Sequence, residues 1–333
     1  MSIRVIRPGL LSSIQDLGRY GMQKHGVIVS GAMDPIALRI ANILVGNEEG
    51  EAAIEITMLG PKLQFEEDSL IAICGGDLSP AVDGQAIPEW RPVYVKKDSV
   101  LSFGGVKTGC RAYLAVAGGF NLPKVMDSRS TYLRAGIGGY QGRSLLEGDV
   151  LQVRDPSYLA VRRMGRLSDK AGSNAASYTD WVVSKEVLQA YQEKPDIRAI
   201  IGGQFDWFTE ESRKQFFKDE FLITSQSDRM GYRLGGPKLE LSEPQELISE
   251  AVTAGTVQVP SDGNPIVLMA DRQTTGGYPK IAQVATVDLP VLAQVKPGEK
   301  IRFREIRLEE AQVLLRTREI EIQLLKQGVS LKD

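Results

Sequence analysis

Histidine is nearly absent, since the 333-residue chain has one, His25. A site with several histidine ligands is thereby excluded, and a Ser-His-Asp triad would have to use His25 alone. Cysteine is almost as scarce. Cys74 and Cys110 lie in apolar or glycine-rich settings, I-A-I-C-G-G and T-G-C-R-A-Y-L, so two buried reduced thiols are expected rather than a disulfide. No apolar run reaches about 18 residues, the length a spanning helix needs. Met1 to Gly9 lacks the apolar core of a signal peptide, so a cytoplasmic location without a membrane partner is the expectation. Charge of one sign is missing too. Charged residues make up 25% and the formal net charge is −2, which gives no electrostatic case for nucleic acid. No stretch fits the phosphate-cradling pattern G-x-x-x-x-G-K-[ST]; Gly104 to Gly109 holds the right letters in the wrong order.

What is present begins with Ser12 to Gly46. Its last part has a helix grammar: Asp34 is a good N-cap, Pro35 suits the first helical position, and Ile36, Ile40 and Leu44 recur at helical spacing. Gly46 can take the left-handed stop. Ahead of that start lie Gln15, Asp16, Arg19, His25 and Ser30, punctuated by Gly18, Gly21, Gly26 and Gly31. Polar groups on a glycine-bent loop beside a helix N-terminus can build a ligand site; they can equally be the surface loop before a capped helix.

Short strand-like runs follow at high density. Ala53 to Phe65 holds two around Gly60-Pro61, Ser69 to Cys74 is another, and Asp83-Gly84 is a hairpin signal. Pro92 to Phe103 reads as strand, turn at Lys97-Asp98, strand, and Arg111 to Ala117 is β-prone. This density predicts a mainly β protein with few helices. Ser128 to Gly142 is rich in glycine, hydroxyl and arginine residues, as are loops that wrap ligands with backbone N–H groups. From 156 to 195 the texture turns polar, which predicts a connector between a first domain, 1–155, and a second, 196–333.

The second half repeats landmarks of the first in the same order. Gly60-Pro61-Lys62-Leu63 recurs as Gly236-Pro237-Lys238-Leu239, and Asp83-Gly84 as Asp262-Gly263. Val95-Lys96 ahead of Phe103 recurs as Val295-Lys296 ahead of Phe303, and Ser30/Met33 as Ser227/Met230. Two related β domains in tandem are expected. Thr209 to Phe217 reads as a capped helix. Ala270 to Pro279 (A-D-R-Q-T-T-G-G-Y-P) sets charged and amide side chains directly after an apolar strand, where a β domain presents a site. Glu305 to Gln327 is an amphipathic helix expected to pack on the second domain or on a partner.

The motifs S-I-Q-D-L-G-R-Y-G, G-V-I-V-S-G-A-M-D, G-P-K-L, R-A-G-I-G-G-Y-Q-G-R-S-L and A-D-R-Q-T-T-G-G-Y-P together resemble the biotin-dependent carboxyltransferase family. More narrowly they are similar to its stand-alone branch of 5-oxoprolinase C subunits, which is KipA-like and related to the second subunit of allophanate hydrolase. The resemblance runs from about Arg4 to Phe303. It implies tandem cyclophilin-like β-barrel domains. It also implies work beside the A and B subunits of 5-oxoprolinase, the latter KipI-like, in ATP-driven opening of 5-oxo-L-proline to L-glutamate. The alternatives it carries are carboxyl transfer to urea-like amides, and a regulatory role as antagonist of a sporulation-kinase inhibitor. ATP is expected at the level of the complex, with no bound cofactor in the isolated chain and no metal. No M-K-M-like biotin attachment sequence occurs, so the chain is not itself a biotin carrier.

A five-membered lactam is resonance-stabilised, and phosphorylating its amide oxygen would ease C–N cleavage. Such a site needs cations or N–H donors for the oxyanion and a carboxylate for the proton. Arg19, Arg134 and Arg272 are the candidates for the first role, and Asp16 and Asp271 for the second. Asp34 is a further carboxylate, grouped with the substrate-binding candidates Gln15, Ser30, Gln273, Thr274 and Tyr278 because it also caps a helix.

Overall fold

The computed structural model describes the chain apart from residues 185, 186, 189–193, 246 and 333. It divides into two units: Met1–Arg19, Ser30–Gln189 and Ile320–Asp333 form unit 1, and Tyr20–Val29 with Ala190–Glu319 form unit 2. The protein is mainly β. Five α-helices occur among the described residues: α1 (Pro35–Leu44), α2 (Tyr158–Ala171), α3 (Glu210–Lys218), α4 (Leu289–Ala293) and α5 (Leu308–Ser330). Among the described residues no helix is long and apolar enough to cross a membrane.

Unit 1 has two six-stranded sheets. The first runs in the order Val150–Gln152, Ser2–Arg7, Lys62–Phe65, Val100–Phe103, Pro80–Val82, Gln85–Ala86. The second runs Ala176–Tyr178, Val93–Val95, Ser69–Gly75, Arg111–Val116, Ala53–Thr57, Leu11–Gln15. Strands of the first sheet alternate, with Ile3, Val5, Leu63 and Phe65 inward and polar neighbours outward. Ser69–Gly75 and Arg111–Val116 are buried at every position, because the second sheet is covered on both faces. One face meets the first sheet through Ile71, Ile73 and Leu114. The other places Leu70, Ala72, Cys74 and Tyr113 against α1 and α2.

Turn chemistry is legible here, though pairing is not. Asp83 and Gly84 take left-handed backbone and close a true hairpin between Pro80–Val82 and Gln85–Ala86. Asp98 is also left-handed, yet its flanking strands Val93–Val95 and Val100–Phe103 enter different sheets. Gly60-Pro61 likewise carries the chain from the second sheet to the first.

The polar stretch expected as a connector is structured. Ser157 caps α2 by accepting from the Ala160 N–H at 3.3 Å, and Ala176–Tyr178 pairs with Val93–Val95. Its composition misleads because α2 buries only one stripe, Ala160, Leu167 and Ala171. The expected boundaries at 155 and 195 therefore differ from the compact units. The final helix differs as well. Ala311 packs in unit 2 with Val287 and Ile306, whereas Ile322 and Val329 pack in unit 1 with α1 and α2. Arg163 of α2 ties this arrangement together, donating to the carbonyls of Leu44 (2.6 Å) and Val329 (3.3 Å) at the ends of α1 and α5.

Unit 2 is a closed barrel in the order Asp196–Ile201, Lys280–Val284, Thr256–Gln258, Ile266–Leu268, Gly231–Gly235, Glu220–Ile223, Lys300–Glu305. Lys300–Glu305 returns parallel to Asp196–Ile201 and closes it. An aromatic cluster fills one end, where Phe216 of α3 stacks on Phe303 at 4.5 Å between ring centres and lies 6.0 Å from Phe221. Of the repeated landmarks, the Val-Lys turns correspond most closely: Asp98 and Gly298 are both left-handed and lead into the strands bearing Phe103 and Phe303. The G-P-K-L pair does not correspond. The first copy runs into the strand Lys62–Phe65, and the second follows the strand Gly231–Gly235.

Candidate functional site

Within unit 1 the polar run Gln15 to Arg19 closes on the loop 125–131. Asp16 accepts from the Gly18 N–H (2.8 Å), Ser128 Oγ (2.7 Å), the Arg129 N–H (2.5 Å) and Ser130 Oγ. Both its oxygens are thus committed to holding a loop. Arg19 is wholly buried and donates to the carbonyls of Val125 (3.0 Å) and Ser130 (2.8 Å). Gln15 Nε2 and Ser30 Oγ both donate to the Thr131 carbonyl, at 3.2 and 3.0 Å. These groups satisfy buried backbone that no sheet ladder reaches. The glycines of 128–142 serve the same packing: a Cβ on Gly138 would stand 2.1 Å from the Ser130 carbonyl and 2.7 Å from Arg19 Nη2. Arg134 is exposed on that loop, and His25 is exposed on the short turn Gln23–His25.

Asp34 behaves as its sequence position predicts, accepting from the Ala37 N–H at 3.0 Å to cap α1. Its own N–H donates to Tyr113 Oη (2.8 Å), which in turn donates to Glu55 Oε2 (2.7 Å). Burial, with the Glu55 and Asp34 charges behind it, pushes the Tyr113 hydroxyl well above its ordinary value. Burial likewise raises the Cys74 thiol, helped by Glu89 and Asp34, so it stays protonated and unreactive. Cys110 is also free and buried.

Unit 2 carries the roomier feature, a cleft of about 780 Å³ against the barrel wall. Arg272, Gln273 and Tyr278 line it, with Gln258, Arg233 and Asp228. Asp271 does not; it is buried in a two-pronged pair with Arg229, Nε to Oδ2 at 2.9 Å and Nη2 to Oδ1 at 3.1 Å. Thr274 is absent from the lining, and its carbonyl accepts from the Val252 N–H at 3.1 Å. Pairing Asp271 with Arg229 leaves the neighbouring Arg272 without a carboxylate among the described residues. Among the described residues its side chain makes one hydrogen bond, from Nη1 to the Met269 carbonyl at 3.3 Å, and Nε has no partner. Burial lowers the Arg272 pKa from its ordinary value, opposed by Tyr20.

The cleft's carboxylates accept from nearby N–H groups, Asp262 through both oxygens and Asp228 through Oδ1. Asp228 accepts from the Met230 and Gly231 N–H groups (2.8 and 3.2 Å), and Asp262 from the Asn264 N–H and Nδ2 (3.1 and 2.8 Å). Such a cleft can hold an anion or a developing oxyanion on a partly dry guanidinium. Among the described residues its one carboxylate oxygen without a hydrogen-bond donor is Asp228 Oδ2, since both N–H groups bond to Oδ1. The run A-D-R-Q pointed to Arg272 and Gln273, but nothing in T-V-Q-V-P marked Gln258.

The carboxyltransferase domain, subdomain A and B, family model matches residues 25–305. The chain belongs to this family. The chain is 38% identical to the C subunit of 5-oxoprolinase from Haemophilus influenzae over 323 residues, 97% of each chain. It is 38% identical to the C subunit of 5-oxoprolinase from Escherichia coli over 310 residues, 93% of each. Among solved structures, urea carboxylase of Kluyveromyces lactis superposes with a TM-score of 0.87 at 32% identity, covering 98% of this chain and 29% of that one. The chain is thus similar over nearly its whole length to subunits of one enzyme and to a segment of another.

Proposed function

We propose that this chain is the C subunit of an ATP-dependent 5-oxoprolinase, acting in the cytoplasm beside the A and B subunits to open 5-oxo-L-proline to L-glutamate. The observation that carries the reading is the end-to-end match at 38% identity to the C subunits of two 5-oxoprolinases. The unit 2 cleft supports it. In this reading Arg272 holds the substrate's negative charge, and burial strengthens that contact by keeping water away. Gln273 and Tyr278 line the same cleft and position the ring. Asp16, Arg19, Gln15 and Ser30 act as scaffold. Asp228, with Oδ2 open to the cleft, is the carboxylate there that can handle a proton, and the use of ATP falls to the complex as a whole.

Reconstitution tests this. With the A and B subunits present the chain should support 5-oxoproline-dependent ATP hydrolysis and release glutamate, and alone it should do neither. Turnover by the lone chain, or a dead ternary mixture of folded subunits, would refute the reading. The similarity to urea carboxylase supports a second reading, carboxyl transfer to a urea-like amide. It would gain ground if a biotin carboxylase and its carrier, rather than the A and B subunits, restored activity.

A further inference from the structure

Gln258 ends the barrel strand Thr256–Gln258 and is 8% exposed in the wall of the unit 2 cleft. The ladder to Lys280–Val284 shifts register between Val257 and Gln258, the extra residue being Ile281 on the partner strand. Thr256, Val257 and Gln258 are all buried. Oε1 of Gln258 is shielded and has no hydrogen-bond partner among the described residues, and no protein group among them pairs with the other end of the carboxamide. Gly276, also in the cleft wall, lies close over it: a Cβ there would stand 2.8 Å from Oε1 and 3.2 Å from Val252 Cγ1. A shielded carboxamide oxygen with no protein donor is uncommon, since such atoms are nearly always satisfied by protein, water or ligand. Arg272, with Nε equally unpartnered, lines the same cleft.

We propose that Gln258 reads the amide edge of the substrate and that, with Arg272, it selects a small ring amide bearing a carboxylate. This rests on the oxoprolinase reading for the identity of the ring. A lactam is held cis, so its N–H and C=O leave from one edge. A carboxamide presents C=O and N–H along one edge as well, and the two edges close a reciprocal pair of hydrogen bonds. With no protein partner to break, the Gln258 carboxamide can turn about its last side-chain bond from beneath Gly276 to meet the ring. Arg272 takes the carboxylate. The closest wrong molecule is then the ring lactone, which keeps the carboxylate and C=O but leaves the Gln258 oxygen unpaired.

The test is calorimetric binding to the full chain, with and without the A and B subunits. The probes are 5-oxoproline, its ring-oxygen analogue 5-oxotetrahydrofuran-2-carboxylate, and 2-pyrrolidinone, which lacks the carboxylate. The lactam should bind at least about tenfold more tightly than the lactone, as for sites built around a substrate N–H. Gln258→Met should erase that preference while keeping the carboxylate requirement, and Arg272→Ala should do the reverse. Equal binding of lactam and lactone by the native chain, or no binding of either, overturns the proposal without relying on any variant. Lactam binding without turnover in the reconstituted mixture would sink the oxoprolinase reading and leave the Gln258 assignment standing. Turnover with undiminished lactam preference in Gln258→Met would do the opposite.

Discussion

Glu89 is expected to make the protein less stable as pH rises, and Glu89→Gln should remove that dependence. Glu89 precedes Trp90, whose N–H donates to the Ile73 carbonyl at 2.8 Å, and Glu89 Oε1 has no hydrogen-bond partner among the described residues. Burial first, and the Asp77 charge second, push its carboxyl up to about 8; the Leu78 N–H and Lys107 oppose them. In the unfolded chain the group loses its proton near 4.5. The folded state therefore holds a proton that the unfolded state has released, and folding is penalised as pH climbs between those values. The contribution is fully present below about 4.5 and gone above about 8, a span equivalent to about 5 kcal/mol, of which roughly 3 kcal/mol is lost by pH 7. Glutamine keeps the shape and has no proton to lose. Urea unfolding at several pH values between 5 and 9, followed through tryptophan fluorescence, should show the variant more stable by an amount that grows with pH. Parallel stability profiles for the two proteins would refute the reasoning.

Arg272→Ala should lower turnover of the reconstituted complex by about a hundredfold or more and barely move the melting temperature. The exposed control Lys97→Ala should match wild type in both; equal rates for the two variants would remove Arg272 from the site. Arg229→Ala should cost about 3–5 kcal/mol by leaving Asp271 buried and unpaired, readable as a drop in the urea midpoint, and a loss under about 1 kcal/mol would contradict that pairing. Asp16→Ala should speed amide hydrogen exchange at Arg129 and Gly18, whose N–H groups it accepts; unchanged exchange there would show that the loop holds without it.

Local grammar was the legible part of this sequence. Asp34, Pro35 and Gly46 mark the ends of α1 because caps and stops depend on a few adjacent residues. Lys97-Asp98 shows the limit: the turn is there, but a local signal cannot say that its two strands enter different sheets. α2 was hidden for a related reason, since a helix burying one narrow stripe has the composition of a linker. At the site, A-D-R-Q drew the eye to Arg272, yet it was Arg229, 42 residues away from Asp271, that decided which of Asp271 and Arg272 stayed unpaired. Asp16 and Arg19 hold buried backbone in a glycine-bent polar loop, which uses the same residue types that bind ligands, so composition does not separate the two roles. Gln258 carried no signal at all, because only its burial without a partner among the described residues sets it apart.

The return of α5 to unit 1 orders events during synthesis. Ile322 is fully enclosed and Val329 nearly so, in the cluster that joins α1, α2 and the second sheet. On the ribosome, every other residue of that cluster emerges before these two. The N-terminal half therefore waits, with one hydrophobic face open, until the whole barrel of unit 2 has been made and Val329 has left the exit tunnel. Emergence of the last turns of α5, rather than completion of the first half, is the moment at which unit 1 becomes whole.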